Sequence, residues 1–302
     1  MKYNLSLRQL KTILVVSDNK RLIKASEILS LTPPAVTIQL KQAEEELGLL
    51  LFDRTSNGLK LTDAGSEVVK CARTIFGHLN DLNNKIEEVK YAERGSVKVG
   101  VVSTAKYFGH NVIAGFINKN PNIKTFIKVA PREEILKDLS SFELDLAITG
   151  TVPFNKDLDT KAFGNHPLIF VSSPKSSLAN KKIIKKIELI NQKILTRESG
   201  SGTLNTLQSF LDETKLAYEP YLTEVGSNET IKQAVISNIG IAMISEHCCI
   251  NEIKFNLLKK LNVEGLPIIK KWYVTRLNSR QQSSSAKLLF NYIYKNAKNF
   301  LP

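Results

Sequence analysis

Cysteine is scarce and poorly placed for chemistry. Cys71, Cys248 and Cys249 are an odd number in no metal-ligand spacing, which excludes a disulfide framework and a zinc site and leaves reduced thiols in or near packed helices. Histidine is almost as rare. None of His78, His110, His166 and His247 neighbours a nucleophile or stands in metal spacing, so each is read as a scaffold residue and no enzyme is expected. No Walker-type or dinucleotide-binding glycine loop occurs. No apolar run reaches the about 18 residues of a membrane span. The opening MKYNLSLRQLK lacks the apolar core of a secretion signal, so a cytoplasmic protein without membrane contact is expected.

What is present suits a soluble chain of two domains: 302 residues, 42% of them hydrophobic. The net charge of +13 suggests a polyanionic partner. Its distribution qualifies this. Residues 1–92 carry 13 Lys or Arg against 11 Asp or Glu, and residues 93–302 carry 29 against 18, so most of the excess lies in the second part. That excess suits an anionic small ligand or a general attraction to DNA.

The most informative stretch runs from Ala25 to Thr62. Ala25, Ile28 and Leu29 form one apolar stripe, and Val36, Leu40 and Ala43 form a second at helical spacing, with LSLTPP as a tight connection. This is a helix-turn-helix pattern. Thr32 is placed to cap the second helix, and Pro33 and Pro34 fit its first turn, where their missing N–H groups cost nothing. Thr37, Gln39 and Lys41 then face outward, hydrogen-bonding side chains on a helix with no acid near its start, as entry into a DNA major groove requires. Two short apolar runs flank Arg54-Thr55-Ser56-Asn57-Gly58, a hairpin signal. The hairpin makes a basic wing, with Arg54 and Lys60 placed for backbone phosphates.

With these residues in place, the segment from Leu5 to Gly65 resembles the winged helix-turn-helix of LysR-type transcriptional regulators. The matching residues are Leu7-Arg8-Gln9-Leu10, Ala25, Glu27, Pro34-Ala35-Val36, Gln39, Glu44 to Gly48, Leu51-Phe52, Arg54 and Leu61-Thr62-Asp63-Ala64-Gly65. The family usually has Ser at Arg21, Ala at Ser26, Ser at Thr37 and Leu at Ala43. Arg21 removes the usual cap of helix two, for which Asn19 is the substitute.

From Asp63 to Tyr91 the chain reads as one long helix with a single interior glycine, Gly77. Val68, Ile75, Leu82 and Val89 recur every seven residues, and Ala72, Leu79 and Ile86 recur between them, a coiled-coil seam. The alternative is a helix packed on its own domain, but about 60 residues offer little core to bury both stripes. The resemblance likewise implies a dimerisation linker, with a two-fold dimer reading two half-sites. The domains are therefore 1–62 for DNA binding, 63–92 for the linker and 93–302 for an effector-binding domain.

Beyond Glu93-Arg94-Gly95-Ser96, strands and helices alternate: Val97–Val102, Tyr107–Asn118, Thr125–Val129, Glu133–Ser141 and Asp145–Thr149 give a β-α-β-α-β parallel α/β unit. Strands follow at Leu168–Ser172, Lys193–Thr196, Leu222–Val225, Ile241–Ile244 and Lys271–Leu277. Helices follow at Thr203–Glu213, Glu229–Ser237 and Ser284–Asn299. The region resembles the periplasmic-binding-protein-like effector domain of the family, which implies one subdomain at 95–164 with 266–302, another at 165–265, and a ligand between them.

Candidate effector residues lie at strand ends. Ser103 and Thr104 follow the first strand and Thr149 the third; across the cleft stand Arg197, Gly202 and Thr203 in RESGSGT, then Ser227 and Asn228 in GSNE. Hydroxyls, amides and one arginine suit a carboxylate or phosphate. Taken singly, Ser, Thr and Asn at such places cap helices, and Arg197 has Glu198 as a ready partner. Val101 to Phe108, Arg132-Glu133-Glu134 and Leu144 to Ile148 further resemble the branch that regulates carbon-fixation (RuBisCO) operons, whose members sense phosphorylated or other anionic metabolites. Pro131, Thr149 and Val152-Pro153-Phe154 depart from it. The resemblance implies double-stranded promoter DNA, a small-molecule effector and RNA polymerase as partners, a homodimer or homotetramer, and no cofactor or metal. The competing readings are a solute-binding receptor, against which the helix-turn-helix argues, and a regulator with an apolar effector or a redox signal through Cys248 or Cys249.

Overall fold

The computed structural model describes residues 4–56, 58–90, 95–151, 157–212 and 222–301. Asn57, Tyr91, Glu93, Arg94, Val152 to Phe154 and Glu213, each named above, lie outside these. The chain forms two compact units, Met1–Asn83 and Asn84–Pro302.

The first unit begins with α1 (Leu7–Asn19), opened by a capping box in which Ser6 accepts from the Gln9 N–H and Gln9 accepts from the Ser6 N–H. Helices α2 (Leu22–Leu29) and α3 (Pro33–Leu47) follow, then the hairpin β1 (Phe52–Thr55) and β2 (Gly58–Leu61), and α4 (Asp63–Lys90). Ile13, Val16, Ala25, Val36, Leu40, Ala43 and Leu51 form the core. Two details of α2 differ from expectation. Ile28 is 55% exposed, so the stripe rests on Ala25 with half-buried Leu22 and Leu29. Asn19 does not cap α2; its side chain donates to the Val15 carbonyl of the preceding helix, and Arg21 occupies the cap position without a side-chain bond. Gly65 answers a packing need, since a Cβ there would lie 2.1 Å from the Leu51 carbonyl oxygen.

The second unit runs β3 (Ser96–Val102), α5 (Lys106–Lys119), β4 (Lys124–Ala130), α6 (Arg132–Ser140), β5 (Leu146–Thr149) and β6 (Leu158–Ser172). It continues with α7 (Lys186–Ile190), β7 (Ile194–Thr196), α8 (Gly202–Asp212), β8 (Leu222–Glu224), α9 (Asn228–Ile236) and β9 (Ile241–Ser245). A 3-10 turn at Glu246–Cys248, α10 (Ile250–Lys254), β10 (Lys259–Lys260), β11 (Ile268–Leu277) and α11 (Ser284–Asn296) complete it. Among the described residues the strands join in the order β4-β3-β5-β11-β6-β9-β7-β8, with β10 also on β6.

Strand β6 is longer than the sequence pattern predicts. It starts at Leu158, because its first half pairs antiparallel with β11 despite the polar run around Lys161, Asn165 and His166 and the proline at 167. Its second half, Leu168–Val171, pairs with β9. A single strand therefore serves two packing systems. The first half lies with the core of Phe108, Phe116, Trp272 and Phe290. In the second half, Leu168 and Phe170 face one core with Leu207 and Phe210, while Ile169 and Val171 face another with Ile231 and Cys248, as the two-residue period of a strand requires.

Candidate functional site

Two surfaces carry the candidate residues, one in each unit. In the first, α3 buries Val36, Leu40 and Ala43 and turns Pro34, Ile38, Lys41 and Gln42 outward. Thr32 caps the helix, accepting from the Ala35 N–H, with Pro33 and Pro34 in the first turn. The predicted outward residues differ in how free they are. Lys41 is exposed, in an open ion pair with Glu45 at 3.5 Å. Thr37 is half-buried, and its hydroxyl donates back to the Pro33 carbonyl at 3.0 Å. Gln39 is half-buried too, and its side-chain oxygen accepts from buried Thr12 of α1 at 2.6 Å, so only its NH2 edge remains to meet a ligand. Ile38, 55% exposed between them, was not singled out from sequence. An exposed isoleucine there is invisible to a search for hydrogen-bonding residues.

The wing pairs Asp53 with Lys60 and Arg54 with Leu59, leaving Arg54 and Lys60 exposed. It is pinned to the α1–α2 corner by the Leu59 N–H, which donates to the Lys20 carbonyl at 2.9 Å. Gly58 makes this approach possible: it has φ +114°, and a Cβ there would lie 2.4 Å from that carbonyl oxygen. Lys20, Arg21, Lys24 and Arg54 consequently line one groove between wing and α2, with Glu27 the acid among its lining residues. Four cations against one carboxylate suit a phosphate backbone.

The predicted linker seam is divided. Ala72 is fully buried in the core of its own unit beside Val69, and Val68 and Ile75 pack against that core, so these three face their own domain. The correction has a simple cause: α4 starts against Leu51 and Phe52 and cannot turn that stripe away from them. Leu79 is half-buried, whereas Leu82 and Ile86 are 52% and 40% exposed. The Val89 side chain lies outside the described ones.

In the second unit a cleft opens where the carboxyl ends of two strand sets meet. Strands β3, β4 and β5 run parallel, so Ser103 and Thr104, Arg132, and Gly150 and Thr151 share one edge. Strand β7 runs parallel to β8 and β9 and brings Arg197, Ser201, Gly202 and Thr203 to the facing edge. The floor is made by His166 and Leu168 of β6 and Lys270 of β11, where His166 and Lys270 are cross-strand partners. The cleft holds a small cavity of about 40 Å³.

Of the predicted cleft residues, Ser103, Thr104, Arg197, Gly202 and Thr203 line it. Three do not. Thr149 is fully buried inside β5, and Thr151 beyond the strand end takes the lining position. Ser227 caps α9, accepting from the Thr230 N–H at 3.1 Å. Asn228 is buried behind Arg197, accepting from its Nη1 at 2.9 Å. Arg197 itself is not a free cation. Its Nε and Nη2 each donate to Glu198 at 2.6 Å, and the arginine is buried. Burial pushes the Glu198 carboxyl up, but the hydrogen bonds from Arg197 and a backbone N–H together with the Arg197 charge outweigh it and leave the group below the usual carboxylate range.

The sequence reading missed Arg132, Thr151, His166 and Lys270. Arg132 opens α6 after β4, and its Nε donates to the Thr151 carbonyl at 3.1 Å, which ties its guanidinium to the edge of the cleft that it lines. Its position at a strand end was a usable signal; His166 and Lys270, inside the crossing strands, gave none. Cys248 and Cys249 are buried, and burial pushes the Cys249 thiol up to about 12 and the Cys248 thiol higher still. Such thiols stay protonated and unreactive at neutral pH.

Comparison with known proteins settles the class. Residues 7–66 match the bacterial regulatory helix-turn-helix protein, lysR family, and residues 91–298 match the LysR substrate binding domain. The chain belongs to the LysR family. It is a LysR-type transcriptional regulator, with an N-terminal helix-turn-helix and a C-terminal effector domain, and not an enzyme. Similar LysR-type relatives include the HTH-type transcriptional regulator CbbR of Xanthobacter flavus, 35% identical over 98% of this chain and 90% of that protein. Another is CfxR of Cupriavidus necator, 34% identical over 98% and 93%. Among solved structures, the CcmR regulatory domain of Synechocystis PCC6803 in complex with 2-PG superposes with TM-score 0.63 at 31% identity, over 68% of this chain and 98% of that one. CbnR, a LysR family transcriptional regulator, superposes with TM-score 0.68 at 15% identity over 97% and 99%, a likeness of fold. Among the described residues no helix is long and apolar enough to cross a membrane.

Proposed function

We propose that this LysR-type regulator is a cytoplasmic sensor of a phosphate- or carboxylate-bearing metabolite of carbon metabolism, which occupies the cleft of the second unit and changes how the first engages promoter DNA. One observation carries the reading. Arg132 and Lys270 line a cleft whose one lining carboxylate among the described residues, Glu198, is paired with Arg197. Ser103, Thr104 and the start of α8 at Gly202 add hydroxyls and a helix N-terminus, both suited to an oxyanion. The 2-PG (2-phosphoglycolate) in complex with the CcmR regulatory domain is a ligand of that chemistry. An apolar effector would cover Val102, Pro131 and Leu168 but leave the Arg132 and Lys270 charges uncompensated, and the protonated Cys248 and Cys249 argue against a thiol signal.

On DNA, α3 enters the major groove with Thr32, Pro33, Pro34 and Lys41 near the backbone and Thr37, Ile38 and Gln39 at base edges, while Arg54 and Lys60 hold phosphates. Leu79, Leu82 and Ile86 pair two copies, with further pairing to a tetramer, and RNA polymerase is the downstream partner. A ligand acts only if it prefers one arrangement of the protein. The test is calorimetric titration of the full chain with 2-phosphoglycolate, inorganic phosphate and uncharged glycerol, followed by DNA binding with and without the ligand that binds. Binding of the anions but not glycerol, with a changed DNA affinity or footprint, is expected. Indifference to every anion would remove this reading while leaving the DNA-binding assignment intact.

A further inference from the structure

Sequence alone makes His166 a scaffold residue, yet its position fits another role. It lines the cleft, is 5% exposed, and among the described residues neither ring nitrogen has a hydrogen bond of good geometry, the nearest backbone group being that of Gly150. A buried polar group without a partner is costly and calls for an explanation. The groups around it are arranged to receive an anion. Lys270 stands directly opposite on β11, and Arg132 reaches the same cleft from α6. Arg197 and Glu198, at the end of β7, neutralise each other. Behind the ring is Trp272, fully buried and stacked on His166 with centroids 3.8 Å apart and planes 20° from parallel. At the edge of that indole lies His247, with Glu246 beside it held by Lys260. The Gly150 backbone closes the remaining side, near enough that a Cβ there would lie 2.8 Å from Nδ1 of His166.

We propose that His166 contacts the bound anion directly and does so as an imidazolium, so that each effector molecule brings a proton into the cleft with it. This rests on the reading of the cleft as an anion site. Three observations support it. Without an anion the ring is neutral: burial above all pushes it down to about 3, with Lys270 also lowering it, against a raising contact with the Gly150 backbone. An anion reverses the sign of the local field, compensating Lys270 and supplying the missing acceptor. The flat face of Trp272 is already in place to stabilise a cation, which a neutral ring does not require. Of the two histidines flanking this indole, only His166 is available. The Trp272 Nε1–H donates to Nδ1 of His247 at 3.1 Å, which holds that nitrogen as an acceptor and the ring neutral.

Linkage fixes the sign. A group whose pKa is higher in the complex than in the free protein binds a proton on ligation, so affinity falls as pH rises between the free and bound pKa values, by up to about tenfold per pH unit for one proton. The experiment is calorimetric titration of the full chain with 2-phosphoglycolate and with inorganic phosphate at pH 6.5 and 7.5, in two buffers of different ionisation enthalpy, which counts protons taken up. Comparison with His166→Asn and His166→Gln under the same conditions cancels the titration of the ligand itself. The expected result is an uptake larger in the wild type by more than about half a proton, with a correspondingly flatter pH profile in both variants. Equal uptake in wild type and variants, with binding retained, would overturn the inference and leave the anion site standing. Absence of anion binding to the wild type would overturn both. Should the variants fail to fold, ring nitrogen shifts of histidine in the ligand-saturated wild type decide: an imidazolium that appears only on ligation supports the proposal, and four unchanged histidines refute it.

Discussion

Replacing Leu82 and Ile86 together by serine should dissolve the dimer without harming the fold. The two side chains are 52% and 40% exposed on α4, so about half of each is available to a partner helix. Full burial of such a side chain contributes about 1.5–3 kcal/mol, and half of that is roughly 1 kcal/mol each. A two-fold interface uses every residue twice, so the double variant forfeits about 4 kcal/mol, close to a factor of a thousand in the dimer dissociation constant. Sedimentation equilibrium across a concentration series measures it. The comparison variant is Ala72→Ser, at a position of the same sequence repeat that is fully buried in its own domain. It should leave dimerisation intact and lower monomer stability by about 1–3 kcal/mol, the usual cost of an unpaired buried hydroxyl. A dissociation constant unchanged within threefold of wild type for the double serine variant, as its two-state melting stays normal, would refute the division of α4 into a self-packed first half and a partner-facing second half.

In the cleft, Lys270→Met and Arg132→Met should each lower 2-phosphoglycolate affinity by about ten- to a hundredfold, the worth of one charge-assisted hydrogen bond, with melting temperature little changed. Arg197→Met should instead cost about 1–3 kcal/mol of stability by stranding Glu198 and Asn228; a stable Arg197→Met protein with normal thermal unfolding would contradict its role as a strut. On DNA, Ile38 is placed to pack on a thymine methyl, so substituting deoxyuridine position by position through a selected binding site should weaken wild-type binding about fourfold at one step, from roughly 0.8 kcal/mol per buried carbon, and leave Ile38→Ala indifferent there. Arg54→Ala should weaken specific and random DNA alike and reduce the salt slope of binding by about one. Loss confined to the specific sequence would show that Arg54 reads bases.

Much of the architecture could be read from local pattern. The capped, proline-led start of α3 and the β-α-β-α-β alternation after Ser96 are signals carried by neighbouring residues, and the observed elements fall within a few residues of the predicted ones. The first half of β6 could not be read this way. Its polar residues face the cleft or the partner strand β11 from more than a hundred positions away, so nothing local marks them as a strand. His166 and Lys270 were missed for the same reason, since they become neighbours only through that pairing.

The errors among the site residues share a physical cause. A residue type and a strand-end position show that a group could bind something, but not whether another group in the fold has already bound it. Arg197 has the right chemistry and the right edge, yet Glu198 and Asn228 occupy its donors. Gln39 has an outward register, yet Thr12 holds its oxygen. Ala72 repeats at the seam interval, yet its own domain covers it. Conversely, Arg132 bonds only a backbone carbonyl among the interactions seen in the described residues, and Lys270 and His166 face each other across two strands in the cleft, which leaves these groups the better candidates for a ligand. The two surfaces proposed to meet ligands, the groove beside the wing and the cleft of the second unit, are places where lining cations outnumber lining carboxylates among the described residues.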